Sequence, residues 1–73
     1  MAWNPTHSIT DNLKAFQKKR VAVHLRSGAT LTGTIGEIGE HFVTIEQLEH
    51  REFFDALVRI DEIAALETRA RAQ

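Results

Sequence analysis

Val21-Ala22-Val23-His24-Leu25-Arg26-Ser27-Gly28-Ala29-Thr30-Leu31-Thr32-Gly33-Thr34-Ile35-Gly36-Glu37-Ile38 is the stretch that decides the architecture. Val21, Val23 and Leu25 alternate with Ala22, His24 and Arg26, the period-two pattern of a half-buried strand. Ser27-Gly28 reads as a turn. Leu31, Gly33 and Ile35 resume the alternation. Gly36 then breaks the phase, because the next apolar residue is Ile38. A glycine at a phase break suits a bulge or a sharp bend, which a small barrel needs in order to curl.

Downstream, Gly39-Glu40 reads as a second turn. Phe42-Val43-Thr44-Ile45 is a third β-rich run, with Val43 and Ile45 facing one way. The last third is ambiguous. Phe53, Ala56, Leu57 and Ile60 fit helical spacing, whereas Phe54, Ala56, Val58 and Ile60 fit strand alternation. Glu62 to Glu67 is rich in helix formers, so propensity alone would make this part helical. Glu46, Glu49, His50, Arg51 and Glu52 form a charged loop, read as solvated.

Upstream, Ser8 to Lys19 reads as a helix. Ser8 can cap it, Asp11 sits in the acidic first turn, and Ile9, Leu13 and Phe16 form one apolar stripe. Lys18, Lys19 and Arg20 stand where the helix dipole favours cations. An anionic partner is the other reading of that cluster. Residues 1–7 read as a loose tail. In it Trp3 packs either on the domain or on a neighbour, since a lone exposed Trp is costly.

The chain has 73 residues, 42% hydrophobic and 26% charged, with one Pro, four Gly and no Cys. That bounds it to a single domain. A domain this small buries only about 60% of its unfolded surface, so its core needs support from elsewhere. Without cysteine there is no disulfide and no thiolate metal site, which leaves self-association as the expected staple. No apolar run is long enough to span a bilayer. The N-terminal residues lack a signal peptide's basic and apolar regions, so a cytoplasmic protein is the expectation. The net charge of -1 hides a split. Up to Gly36 stand Lys14, Lys18, Lys19, Arg20 and Arg26 against Asp11 alone. From Glu37 onward there are nine acids and four arginines. These halves either segregate onto two faces or intermix.

The spacing Val21-x-Val23-x-Leu25-x-Ser27-Gly28-x-x-Leu31-x-Gly33-x-Ile35-x-x-Ile38 resembles the first motif of Sm-like proteins, which include the Sm and Lsm proteins and the bacterial RNA chaperone Hfq. Val58-Arg59-Ile60-Asp61-Glu62-Ile63 looks like a degenerate second motif. The helix running into a strand through Lys19-Arg20-Val21 is also similar. The resemblance covers residues 8–67 and marks the chain as a divergent member. It implies an all-β domain with one N-terminal helix (8–19) on a strongly bent five-stranded antiparallel small barrel (21–67), followed by a tail (68–73). The implied strands lie near 21–26, 30–38, 41–48, 53–59 and 63–67. An edge strand pairs with a neighbour's edge strand, giving a homo-oligomeric ring, a hexamer or a heptamer.

The resemblance further implies single-stranded RNA bound around a pore, with a base stacked on a ring and an Arg packed beside it. His41 falls at the stacking position and Arg59 at the late Arg position. The family's Asp falls on Gly39, its Asn on Val43, and the Gly expected after Arg59 is Ile60. Base-specific recognition is therefore weakened, and Arg59 has Asp61 and Glu62 as competing partners. Lys14, Lys18, Lys19, Arg20 and Arg26 offer a second, less selective RNA surface, repeated around a ring. The alternative is a barrel oligomer that serves protein interaction, with RNA binding lost. An enzyme is not expected: neither Ser8 nor Ser27 has a His and an acid at triad spacing, and the glycines form no phosphate loop. His7, His24, His41 and His50 lack metal-ligand spacing, so no cofactor is expected. Neither a membrane nor a small-molecule substrate is expected as a partner.

Overall fold

The computed structural model describes residues 2–51 and 53–69. Met1, Glu52 in the charged loop and residues 70–73 of the C-terminal tail lie outside the described residues. One helix, α1 (Ile9–Ala15), precedes five strands: β1 (Arg20–Leu25), β2 (Thr30–Ile38), β3 (Phe42–Glu46), β4 (Ala56–Arg59) and β5 (Ile63–Glu67). A 3-10 turn, Ile60–Glu62, joins β4 to β5.

α1 starts where the sequence places it. Ser8 accepts a hydrogen bond from the Asp11 N–H at 3.0 Å, satisfying one orphan donor of the first turn. Leu13 and Phe16 drive into the core, with Ile9 packed at its margin. The helix ends at Ala15, four residues short of the expected Lys19. A tertiary contact decides this: Lys18 adopts a left-handed φ of 72° and its N–H donates to the Ile35 carbonyl at 2.8 Å. That turn feeds the chain straight into β1.

The residues before α1 are not the loose tail expected. The Asn4 N–H donates to Asn12 Oδ1 at 2.8 Å, and Asn12 Nδ2 returns a bond to the Asn4 carbonyl at 3.0 Å. The Trp3 ring stacks on Phe16 with centroids 3.9 Å apart and planes inclined by 26°. Trp3 thus packs on its own domain.

All strand pairings are antiparallel, in the order β4-β3-β2-β1-β5. Val21, Val23, Val43, Ile45, Val58 and Ile63 point inward and are buried with Leu13, Phe16, Ile35 and Leu48. Gly28, at φ 100°, makes the β1–β2 turn in a conformation that favours glycine. The β2–β3 register shifts between Ile35 and Ile38, so the phase break at Gly36 is a bulge. Beside it the sheet folds over so closely that a Cβ on Gly33 would stand 2.7 Å from the Glu46 carbonyl oxygen. One half of β2 therefore pairs with β1 and the other with β3.

The ambiguous last third is strand, 3-10 turn, strand, as the resemblance implies and against local propensity. Burial of Val58 and Ile63 outweighs helix preferences of a few tenths of a kcal/mol per residue. β3 and β4 are shorter than the expected 41–48 and 53–59. Leu48, 4% exposed, leaves the ladder to anchor the intervening loop in the core. Left-handed Gln47 (φ 52°) and His50 (φ 69°) turn that loop. The sheet is not closed: among the described residues β4 and β5 each pair on one side only.

Candidate functional site

The Gly39–Phe42 turn and the β4–β5 connection meet at one end of the sheet. The Gly39 N–H donates to the Phe42 carbonyl at 2.8 Å, and the Ile60 N–H donates to the His41 carbonyl at 2.9 Å. Phe42 pairs with Arg59 across β3 and β4. His41 and Arg59, eighteen positions apart in sequence, are thereby brought to one cleft, lined also by Glu40, Phe42, Ile60 and Asp61. Gly39 shapes the turn without presenting a side chain. Val43 is buried in the core, turned away from the cleft.

Arg59 is already engaged. Its Nη2 lies 2.9 Å from Asp61 Oδ2 and its Nε 3.2 Å from Asp61 Oδ1, a two-point fork. Both side chains are largely exposed. The hydrogen bond from Arg59 holds the Asp61 carboxyl below the usual carboxylate range, against an opposing desolvation and with a lesser contribution from the Arg59 charge. The same hydrogen bond, backed by the Asp61 charge, raises the Arg59 guanidinium above its usual value. Arg26 borders the pair: its N–H donates to the Glu62 carbonyl at 2.8 Å and its Nη1 approaches the Asp61 carbonyl at 3.4 Å. The arginine that a stacked base or a phosphate would need must first leave a carboxylate.

The basic cluster lies elsewhere. Lys14 stands in the last turn of α1, and Lys18, Lys19 and Arg20 form the joint into β1. Arg20 Nη1 donates to Thr34 Oγ1 at 3.3 Å and to the Gln47 carbonyl at 3.2 Å. Lys19 and Arg20 line a depression with Thr32, Glu67, Thr68 and Arg69. Among the described residues, none of Lys14, Lys18, Lys19 and Arg20 has a carboxylate within ion-pair distance. This depression shares no residue with the His41–Arg59 cleft. The sequence-level candidates therefore divide into two places. Arg26, expected with the basic surface, instead borders the Arg59–Asp61 pair. The sequence reading missed Arg69 beside Lys19 and Arg20, which no local pattern carries because β5 brings it in from far along the chain.

His24 ties three strands together, with Nε2 2.7 Å from Glu67 Oε1 and Nδ1 3.2 Å from Thr30 Oγ1. Among the described residues no three His, Asp or Glu side chains converge as a metal site would require. No helix among them is long and apolar enough to cross a membrane.

No family model matches the chain, and no curated protein matches it. Among solved structures the chain is similar to the crystal structure of an SmAP (LSm) protein from Methanococcus vannielii. The two are 25% identical, with a TM-score of 0.69, and the match covers 89% of this chain and 100% of that one.

Proposed function

Given that the chain carries the Sm-like fold, we propose that it assembles head to tail into a non-catalytic ring that binds single-stranded RNA. The observation that carries the reading is the open sheet, with β4 free along one edge and β5 along the other. Two unlike free edges on one subunit make a heterologous contact, which closes into a ring when the rotation allows. Pairing them removes exposed N–H and C=O groups that otherwise invite aggregation. It also supplies the support that so small a core lacks.

For RNA, the support comes from the unpaired cations. Lys14, Lys18, Lys19 and Arg20 hold no ion pair among the described residues, so phosphates would meet them without displacing an acid. His41 and Arg59 form the second contact, weakened by Asp61. Binding of this kind is sensitive to salt and weakly selective for base. A cytoplasmic location and the absence of a small-molecule substrate belong to the same reading.

The test is fluorescence anisotropy of labelled oligo-U and oligo-A at several salt concentrations. Lys18→Glu/Lys19→Glu should weaken binding and flatten the log–log salt slope by about 1.4, or roughly 0.7 for each lost phosphate contact. No binding by the unaltered chain at low salt sinks the RNA reading. That result would favour a scaffold that binds only protein, the alternative supported by the Arg59–Asp61 fork.

A further inference from the structure

Phe53 is the most exposed large apolar side chain among the described residues, at 99%. It shares a surface cavity with Arg20, Gln47, Leu48, Glu49 and His50. A bare aromatic ring on water is costly unless something covers it. Chance flexibility does not account for it, because the loop that carries it is tied down. The Leu48 N–H donates to the Phe54 carbonyl at 3.1 Å, the Arg51 N–H to the Leu48 carbonyl at 2.9 Å, and the Phe54 N–H to the Arg51 carbonyl at 2.9 Å. The Glu49 N–H reaches the Thr32 carbonyl at 2.8 Å, and Gln47 N–H reaches Asp55 Oδ1 at 3.0 Å. Leu48 is the buried anchor beneath.

The cavity also presents a cation, Arg20. Arg20 is held in place by Thr34 and Gln47 through Nη1 alone. A guanidinium has five N–H donors, so those on Nε and Nη2 are uncommitted among the described residues. Glu49, the one acid among the described residues of the lining, has Oε2 3.4 Å from His50 Nε2. Among the described residues, three non-glycine residues have a left-handed φ: Lys18 lies two positions from Arg20, and Gln47 and His50 line this cavity with it. Such conformations collect at ligand sites, where they fix side-chain geometry. Arg20 also lines the neighbouring depression with Lys19 and Arg69, so the positive surface continues beyond the cavity.

We propose that Phe53 and Arg20 form a nucleotide subsite for single-stranded RNA, the ring of Phe53 stacking a base while Arg20 takes the adjoining phosphate. This rests on the RNA reading above and adds to it a stacking residue that is separate from the His41–Arg59 cleft. A flat aromatic face accepts any base, so the subsite raises affinity without selecting sequence.

The test is anisotropy with labelled oligo-A and oligo-U on the full chain, alongside native mass measurement of each variant. Phe53 is fully exposed, so its removal leaves the fold intact. Phe53→Ala should weaken binding about 5- to 150-fold, the loss expected for one stacked base. Phe53→Trp should restore it, and in a Trp3→Phe background the new indole should be quenched by RNA. Arg20→Ala should flatten the salt slope by about 0.7. If the unaltered chain binds RNA and Phe53→Ala binds equally well, the subsite is refuted and the RNA reading stands. If Phe53→Ala changes the number of subunits, the ring belongs to a subunit contact and the subsite is refuted. If the unaltered chain binds no RNA, the reading beneath it falls as well.

Discussion

Gly33→Ala tests the sharp fold of the sheet at a point where an added Cβ would meet backbone. A Cβ added there would lie 2.7 Å from the Glu46 carbonyl oxygen and 2.8 Å from Ile45 Cγ2. Ordinary C···O contacts run at about 3.3–3.6 Å, so β2 and β3 must part by more than half an ångström. Neither obstacle swings aside easily, for one is backbone and the other belongs to a fully buried side chain. Forcing a methyl group into such a site costs about 1–3 kcal/mol. The reduced entropy of the unfolded chain returns about 0.4–1 kcal/mol. At the middle of both ranges the net loss is about 1.3 kcal/mol, a fall in Tm of roughly 5–10 °C for a domain of this size. Gly39→Ala is the control, because its nearest neighbour is the Phe42 carbonyl oxygen at 3.4 Å, an ordinary contact. Thermal melts followed by circular dichroism at fixed protein concentration decide the matter. A Gly33→Ala variant that melts at or above the unaltered chain would refute the claim that β2 folds over β3 at this point.

Two further outcomes follow from the core and the cleft. Leu13→Ala removes the most buried side chain of α1 and should cost about 2–5 kcal/mol, measured by urea denaturation. Asp61→Asn releases Arg59, so oligo-U binding should tighten and its salt slope steepen by about 0.7, the share of one added phosphate contact. The same variant has a pH signature: the Asp61 pKa is lowered from 3.8 by its partner. Its contribution is present above that value and is lost as pH falls through the lower folded pKa. Melts of the unaltered chain and Asp61→Asn should therefore run parallel at neutral pH and converge only in the acid range below about pH 4.

The period-two alternation from Val21 to Ile35 and the phase break at Gly36 were legible because strand burial writes itself into every second residue. The start of α1 was legible from Ser8 and the Ile9, Leu13, Phe16 stripe. Its end was not, because a hydrogen bond from Lys18 to Ile35 across the fold stops it where helix-favouring residues continue. The docking of Trp3 and Asn4 rests on contacts eight and thirteen residues away, which no short-range period announces. In the last third, local propensity pointed to helix while packing of Val58 and Ile63 chose strands. At the site, the pairing of Phe42 with Arg59 brings His41 and Arg59 into one cleft, a proximity that no local period announces across eighteen residues. Asp61 as the competitor of Arg59 was visible two residues along the chain. Phe53 was not legible as a surface feature, since its spacing fitted an apolar helix stripe and exposure is set by where Leu48 anchors the loop.

Native mass measurement of the unaltered chain, with and without a short oligo-U, tests the account most directly. It should give a single closed ring of six or seven copies that takes up RNA without changing subunit number. A monomer at micromolar concentration, with or without RNA, would contradict the ring and with it the role assigned to the free edges of β4 and β5.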